Sequence, residues 1–345
     1  MKKSLIALAV LASSGAAMAQ SSVTVYGRLD ASVGSAKVGA PGAALRANTQ
    51  MFNSNMTSSR LGFRGTEDLG GGLKAIFGLE SNIAVDAPSA TTLGDRAAFA
   101  GLSGGFGTIK LGRHDTSFDD IRDLMVSSNL WDSSHLASTE TIVGAGANGA
   151  VPASAGVGQL ADYGDRANNQ IRYESPSFGG FSAGVSYAFD EQVAPIKQDI
   201  TAFNLRYKAG NLDVGYAYQE NKNAAVAASN LEYNTVAAAY NFGTFRVSGG
   251  WNQVKNKAAR KSDTYTVGVN VPVNAFDFSL GYSTAKAKQT GATFEKGDAF
   301  SAGVTYALSK RTRLYAALTN GDIENAAGAK VLQRDIYAVG VRHEF

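Results

Sequence analysis

The chain contains no cysteine, 6 prolines and 3 histidines, and beyond its first residues it has no apolar run approaching a membrane helix. Without cysteine there is no disulfide framework, no thiolate zinc site and no thiol nucleophile. The histidines, His114, His135 and His343, lack ligand-like spacing for a metal and leave little material for a catalytic triad. An excess of one charge is also missing: 32 Lys plus Arg stand against 29 Asp plus Glu. Setting aside residues 1–19 removes Lys2 and Lys3, so the balance falls from 32 − 29 = +3 to 30 − 29 = +1. A polycation built for nucleic acid is thereby excluded. The 44% hydrophobic content rules out disorder, and 345 − 19 = 326 residues suffice for a sizeable core.

What is present begins at the N-terminus. Lys2 and Lys3, an apolar run from Leu5 to Ala12, and Ala17, Met18, Ala19 before Gln20 make the n-region, h-region and cleavage site of a secretory signal peptide. Residues 1–19 are expected to be removed and 20–345 to form the folded protein.

From there the dominant period is two. Val23, Val25, Leu29 and Val33 alternate with Thr24, Tyr26, Arg28, Asp30 and Ser32, one face apolar and the other charged, as successive side chains of a strand require. The pattern returns at 73–79, 181–189, 203–207, 212–218, 236–242, 265–271, 276–282 and 300–308. Weaker segments lie around 59–66, 96–103, 106–112, 168–175, 245–254, 312–319 and 335–345. Together these predict sixteen strands.

Short turn-rich joints fall at 67–72, 104–107, 176–180, 209–211, 243–244, 272–275 and 309–311. Between them lie longer polar joints near 35–58, 81–95, 113–165, 190–200, 221–230, 255–262, 285–297 and 320–333. Seven short turns alternating with eight long loops fit sixteen antiparallel strands with both termini on the short-turn side. Strands of about 10 residues, tilted near 45°, cover roughly the 25 Å apolar band of an outer-membrane barrel, and closure pairs every backbone amide. A soluble sandwich with a dry core is the competing architecture. The second face carries Arg28, Arg60, Arg64, Lys74, Arg96, Lys110, Arg166, Arg172, Arg206, Lys208, Arg246, Arg313 and Arg342 against Asp30, Glu80, Glu174, Asp213, Asp277 and Glu344, too many ions for a dry interior. Aromatics at strand ends, such as Tyr187, Phe189, Tyr240, Phe242 and Tyr306, suit membrane girdles.

Five blocks carry a resemblance: SSVTVYGRLDASV at the start of the folded segment, SSRLGFRGTEDLGGGLKAIFGLES at 58–81, FGTIKLGR at 106–113, RANNQIRYESPSFGGF at 166–181, and VGVRHEF ending in Phe345. In order and spacing the chain resembles the trimeric general porins of Gram-negative bacteria, in the beta-proteobacterial and neisserial branch. That resemblance implies an all-β, sixteen-stranded antiparallel transmembrane β-barrel in the bacterial outer membrane, a homotrimer among outer-membrane lipids, and a long third loop folded into the lumen. The joint at 113–165, much the longest, would be that loop; it opens with His114, Asp115, Asp119, Asp120 and Asp123 and holds a glycine- and alanine-rich tract at 144–158.

Arg60, Arg96 and Arg166 match positions of the arginine cluster that lines the constriction in similar porins. Guanidinium groups stay charged and offer several donors, so such a wall attracts small anionic solutes without binding them tightly. Arg28, Arg64 and Lys74 extend the basic wall. Asp115, Asp119 and Asp120 are candidates to face the arginines across the neck; the alternative is a solvated loop with Asp119 or Asp120 near a short helix N-terminus.

Two motif matches fail on context. Gly101, Ser103 and Gly105 satisfy GxSxG but lead into another strand, not a helix. Gly144, Gly146 and Gly149 satisfy GxGxxG without a preceding buried strand. Trp131 and Trp251 read as loop packing and girdle residues. The reading is a passive diffusion channel for small hydrophilic solutes, with no cofactor and no catalytic group; an outer-membrane barrel enzyme, or an adhesin using the barrel as an anchor, is the alternative.

Overall fold

The computed structural model describes residues 22–39, 47–87, 92–126, 131, 166–189, 198–223, 230–256, 260–290 and 292–345. The expected signal peptide, the glycine- and alanine-rich tract and His135 lie outside them. Among the described residues seventeen strands form one antiparallel sheet: β1 (Ser22–Gly39), β2 (Asn48–Asn53), β3 (Arg60–Gly70), β4 (Leu73–Asn82), β5 (Ala97–Gly104), β6 (Gly107–Asp115), β7 (Arg166–Glu174), β8 (Phe181–Ala188), β9 (Gln198–Ala209), β10 (Leu212–Asn223), β11 (Leu231–Asn241), β12 (Arg246–Asn256), β13 (Arg260–Val273), β14 (Phe276–Gln289), β15 (Ala292–Ala307), β16 (Thr312–Asn325) and β17 (Lys330–Glu344).

The wall has sixteen positions because β2 and β3 share one. The first half of β1 pairs with β3, from Ser22↔Thr66 to Arg28↔Arg60, and its second half pairs with β2, from Ala31↔Asn53 to Ala36↔Asn48. On its other edge β1 pairs with β17, and Phe345 exchanges backbone hydrogen bonds with Gly27, which closes the ring. Among the described residues every wall strand but β2 is paired on both edges, and β2, held by β1 alone, sits at the loop end beyond the β1–β3 pairing.

Alternation sets the faces. Val23, Val25, Leu29 and Val33 are outward and exposed, while Asp30 and Ser32 are buried. Aromatic clusters mark both limits of the apolar band. Near the short turns stand Phe181 with Tyr207, Tyr240 with Phe242 and Phe245, and Phe276 with Tyr306; toward the other end stand Tyr187 with Phe189 and Phe203 with Tyr218. The seven short turns fall where expected. The tightest ones use residues that tolerate positive φ, as at Gly70, Gly71 and Gly72 (85°, 61° and 82°).

The long-loop side differs from expectation. Much of the joints expected at 35–58, 255–262, 285–297 and 320–333 is strand: β1 runs to Gly39, β14 to Gln289 before β15 resumes at Ala292, and only residues 326–329 separate β16 from β17. These strands project past the apolar band. Outward residues there turn polar, as at Thr284, Lys286 and Lys288, while the inner face closes over Ala285, Ala287, Ala299, Ile323 and Leu332.

The break between β2 and β3 is organised by Asp30, which is fully buried. Its carboxylate accepts hydrogen bonds from the backbone amides of Met56 (2.6 Å) and Thr57 (2.7 Å) and from the Tyr315 hydroxyl (2.6 Å), fixing the 54–59 turn against the inner wall. Replacing the carboxylate by a methyl group strands three donors. Asp30→Ala is therefore expected to cost about 3–5 kcal/mol, seen as a lower denaturation midpoint of the detergent-solubilised barrel; an unchanged midpoint would show that the turn holds without it.

Candidate functional site: the lumen and its neck

After Asp115 the chain leaves the wall and runs inside the barrel. A short helix α1 (Asp119–Arg122) and a 3₁₀ turn (Asp123–Met125) follow. Phe118 and Ile121 are fully buried, and Leu124, Met125 and Trp131 nearly so. Its described residues meet successive strands of the wall. Ser117 N donates to Ser186 Oγ on β8 (3.1 Å), Asn204 on β9 donates to the Ser117 carbonyl (2.5 Å), and Thr116 Oγ1 donates to Gln219 on β10 (2.7 Å). Phe118 meets Tyr233 on β11 edge to face. Arg246 and Ser248 on β12 donate to the Val126 carbonyl (2.7 and 2.9 Å), and Trp131 packs edge-on against Tyr315 on β16.

Four inward glycines make room for this path. A Cβ on Gly184 would stand 3.2 Å from Ser117 Oγ, and one on Gly250 would stand 2.8 Å from Met125 Sδ. One on Gly215 would overlap Ile121, and one on Gly303 would overlap the Trp131 ring. The third loop therefore seats in a lane of missing side chains along the lumen wall from β8 to β15.

The described loop residues, 116–126 and 131, lie against the strands from β7 to β16, and the basic cluster occupies the stretch of wall on β1, β3 and β4. Arg28 and Arg60 are directly opposite in the β1–β3 register. Glu80 on β4 takes Arg96 Nε at 2.7 Å and Arg60 at 3.4 Å on one oxygen, and the Tyr26 hydroxyl at 2.9 Å on the other. Arg64 lies over the Tyr26 ring at 4.9 Å, and Arg28 approaches Glu344 at 4.0 Å. A pocket of about 330 Å³ is lined by Arg28, Arg60, Arg64 and Arg311 with Glu80 and Glu344, a balance of 4 − 2 = +2. Like charges this close are tolerable because the carboxylates interleave them and the lumen supplies water.

Of the residues singled out from sequence, Arg60 and Arg96 come together with Arg28 and Arg64 around Glu80. Arg96 does so by a route the alternation does not give. Within β5 the inward positions are Ala97, Phe99, Gly101 and Ser103, and Arg96 reaches the lumen because it precedes the strand, its side chain folding back to Glu80 and Asn82. Arg166 forms a separate pair with Asp115 at 2.9 Å, its direct cross-strand neighbour. Between Arg172 and Arg166 the alternation breaks. The register slips at Gly112 and His114, Asn169 has a φ of 50°, and Ala167 is the buried residue opposite buried His114.

The loop acids are each engaged near at hand. Asp119 is buried and bonds Arg122 of its own helix (2.5 Å). Asp120 meets Arg172 on β7 (2.6 Å) and the Asn204 amide (2.9 Å). Asp123, at 59% side-chain exposure, is the acid of α1 and its 3₁₀ extension most open to the lumen. Lys74 stands at the short-turn end, opposite Asp68. Glu80, the hub of the arginine cluster, and Arg172, which joins Asp120 to Glu174, sat in the inward register of the sequence without any local feature marking them as partners.

A closed barrel with an apolar belt outside, ions inside and a loop drawn into the lumen defines an outer-membrane channel. The comparisons with known proteins agree. A family model described as Gram-negative porin matches residues 4–326. Outer membrane porin protein 32 of Delftia acidovorans is 38% identical, the match covering 99% of this chain and 95% of that one; major outer membrane protein P.IB of Neisseria meningitidis serogroup B is 29% identical with all of both chains covered. Among solved structures, an anion-selective porin from Comamonas acidovorans superposes with a TM-score of 0.75 at 30% identity, covering 94% of this chain and all of that one. OmpT of Vibrio cholerae in its trimer form shares the fold, with a TM-score of 0.66 at 16% identity over 94% of this chain and 99% of that one. The chain belongs to the Gram-negative porin family, whose members are channels rather than enzymes.

Proposed function

We propose that residues 1–19 are a cleaved signal peptide, that residues 20–345 assemble as a homotrimer, and that each barrel passes small hydrophilic solutes with a preference for anions. The observation that carries the preference is the division of the lumen. The described part of the third loop, residues 116–126 and 131, lines the wall from β7 to β16, and the wall on β1, β3 and β4 presents Arg28, Arg60, Arg64 and Arg96 around Glu80. A solute passing the loop runs beside this basic surface. On this reading Arg60 and Arg96 are the basic side of the neck, Asp120 and its Arg172 partner lie on the loop side, Arg166 with Asp115 guards the loop's point of departure, and Asp119 holds the helix together. The anion-selective porin at 30% identity supports the same sign.

Trimer formation is supported by the outer surface of β1 and β14–β17. There Val33, Leu280, Ala302, Val304, Leu318 and Val339 line an open apolar concavity of about 890 Å³. Recording purified protein in a planar bilayer under a salt gradient tests both claims. Conductance in steps of three and a reversal potential of chloride sign are expected; single steps would overturn the trimer, and a potassium-sign potential the anion preference.

A further inference from the structure

The projecting hairpins carry a feature that conduction does not require. On four neighbouring strands, β12 to β15, an outward aromatic is followed four residues toward the loop end by an outward lysine: Trp251 and Lys255, Tyr265 and Lys261, Tyr282 and Lys286, Phe300 and Lys296. Register then sets like charges face to face. Lys255 is opposite Lys261, Lys261 opposite Lys288, and Lys286 opposite Lys296. Directly opposed like charges destabilise a sheet unless something offsets them.

The protein offsets only part. Lys255 pairs with Glu232 (2.7 Å), Lys261 with Asp263 (3.1 Å) and Lys296 with Glu324 (2.8 Å). Lys286 and Lys288 are exposed and have no ion-pair partner among the described residues. Asp298, outward on β15 and bonded to the Tyr282 hydroxyl (2.6 Å), is a fourth acid of this face, so the patch keeps 5 − 4 = +1 on the outer surface of the barrel, with Lys286 and Lys288 as its unpaired cations. Its height is set by the aromatics. Four residues rise about 13 Å along a strand, or about 9 Å along the membrane normal at a tilt near 45°. Aromatic girdles sit at the membrane interface, so the lysines stand in the headgroup layer just beyond it.

We propose that the outward face of β12–β15 is a binding site for a phosphorylated lipid of the outer leaflet. Its phosphate is held by Lys286 and Lys288 and its acyl chains lie on the wall below, where Tyr265 and Val267 are about half exposed. Lysine ammonium groups suit this task as mobile point charges that need no fixed fork. A phosphate in the row of opposed lysines also relieves their mutual repulsion, so lipid binding and hairpin stability are coupled.

The test uses the full-length barrel, stripped of lipid in detergent and offered bis-phosphorylated lipid A or its dephosphorylated form, with bound lipid counted by native mass spectrometry. Lys286→Gln with Lys288→Gln is expected to weaken retention of the phosphorylated form about thirtyfold, taking about 1 kcal/mol per lysine at an anionic membrane surface. Retention of the dephosphorylated form should not change. Lys310→Gln, at the opposite short-turn end, is the control and should retain lipid as the unmodified protein does. Inorganic phosphate should fail to displace the lipid; displacement would mean the patch reads a free anion rather than a lipid. Equal retention by the double variant and the unmodified protein would overturn the proposal, as would equal retention of both lipid forms. A double variant that changes oligomeric state while keeping its lipid would identify the patch as a contact between copies and overturn it as well. Because these positions are solvent-facing, both variants should fold, and the unheated gel mobility of the barrel verifies that independently.

Discussion

Replacing Arg60 and Arg96 together by serine is expected to move the reversal potential in a salt gradient from the chloride side toward the potassium side. Both arginines act on one carboxylate. Glu80 receives Arg96 at 2.7 Å and Arg60 at 3.4 Å on the same oxygen, so the three groups carry 2 − 1 = +1 and the variant leaves 0 − 1 = −1 beside the Tyr26 hydroxyl. A unit charge at about 7 Å in water-like dielectric is worth about 0.6 kcal/mol, so a two-unit change shifts the energy of a passing ion by about 1.2 kcal/mol, roughly sevenfold in each ion's occupancy. Adding Glu80→Gln should bring selectivity back toward neutral, which a merely widened pore would not do. Arg166→Ser is expected to add a smaller shift, because its partner Asp115 belongs to a separate pair. The effect should fade as salt approaches 1 M, where the Debye length is about 3 Å. An unchanged potential in the double variant would remove these arginines from the selectivity mechanism and leave the porin assignment intact.

The wall was legible in the sequence wherever lipid meets it, because apolar-out and polar-in is a two-residue signal that a membrane enforces along every strand. Beyond the girdle that force disappears. On β14 the outward run Phe276, Phe278, Leu280, Tyr282 gives way to Thr284, Lys286, Lys288, while the inward face gains Ala285 and Ala287. The contrast inverts although the strand continues, so it reads as a loop. The same limit acts at the neck. Arg60 follows the alternation, but Arg96 enters the lumen from ahead of its strand, and a bulge separates Arg166 from the phase of Arg172. The binding partners of the loop acids were out of reach for a different reason. Asp120 meets Arg172 and Asn204, 52 and 84 residues away, and nothing near either end records the pairing.

The glycine lane was equally hidden, since a glycine kept clear for a distant loop looks like any other glycine in a strand. It also gives the largest expected change in conductance. Gly303→Leu places a side chain where the Trp131 ring lies, and Gly215→Leu does the same to Ile121, so both together should lift the third loop from the wall. The hydrogen bonds of the barrel strands at these positions are made by backbone and are untouched by the change. Single-channel conductance is expected to change by about twofold, with weaker ion selectivity, because the seated residues 116–126 and 131 occupy part of the lumen cross-section. Trp131→Ala should also free the loop. It removes an indole that is 3% exposed, a loss of about 3–5 kcal/mol where the cavity cannot collapse. The two changes are not independent: in Trp131→Ala with Gly303→Leu the new side chain occupies the space the indole vacates, so the pair should restore conductance toward that of the unmodified channel. If Gly303→Leu leaves both conductance and protease access to the loop unchanged, or if its effect adds to that of Trp131→Ala instead of cancelling it, the lane does not seat the loop.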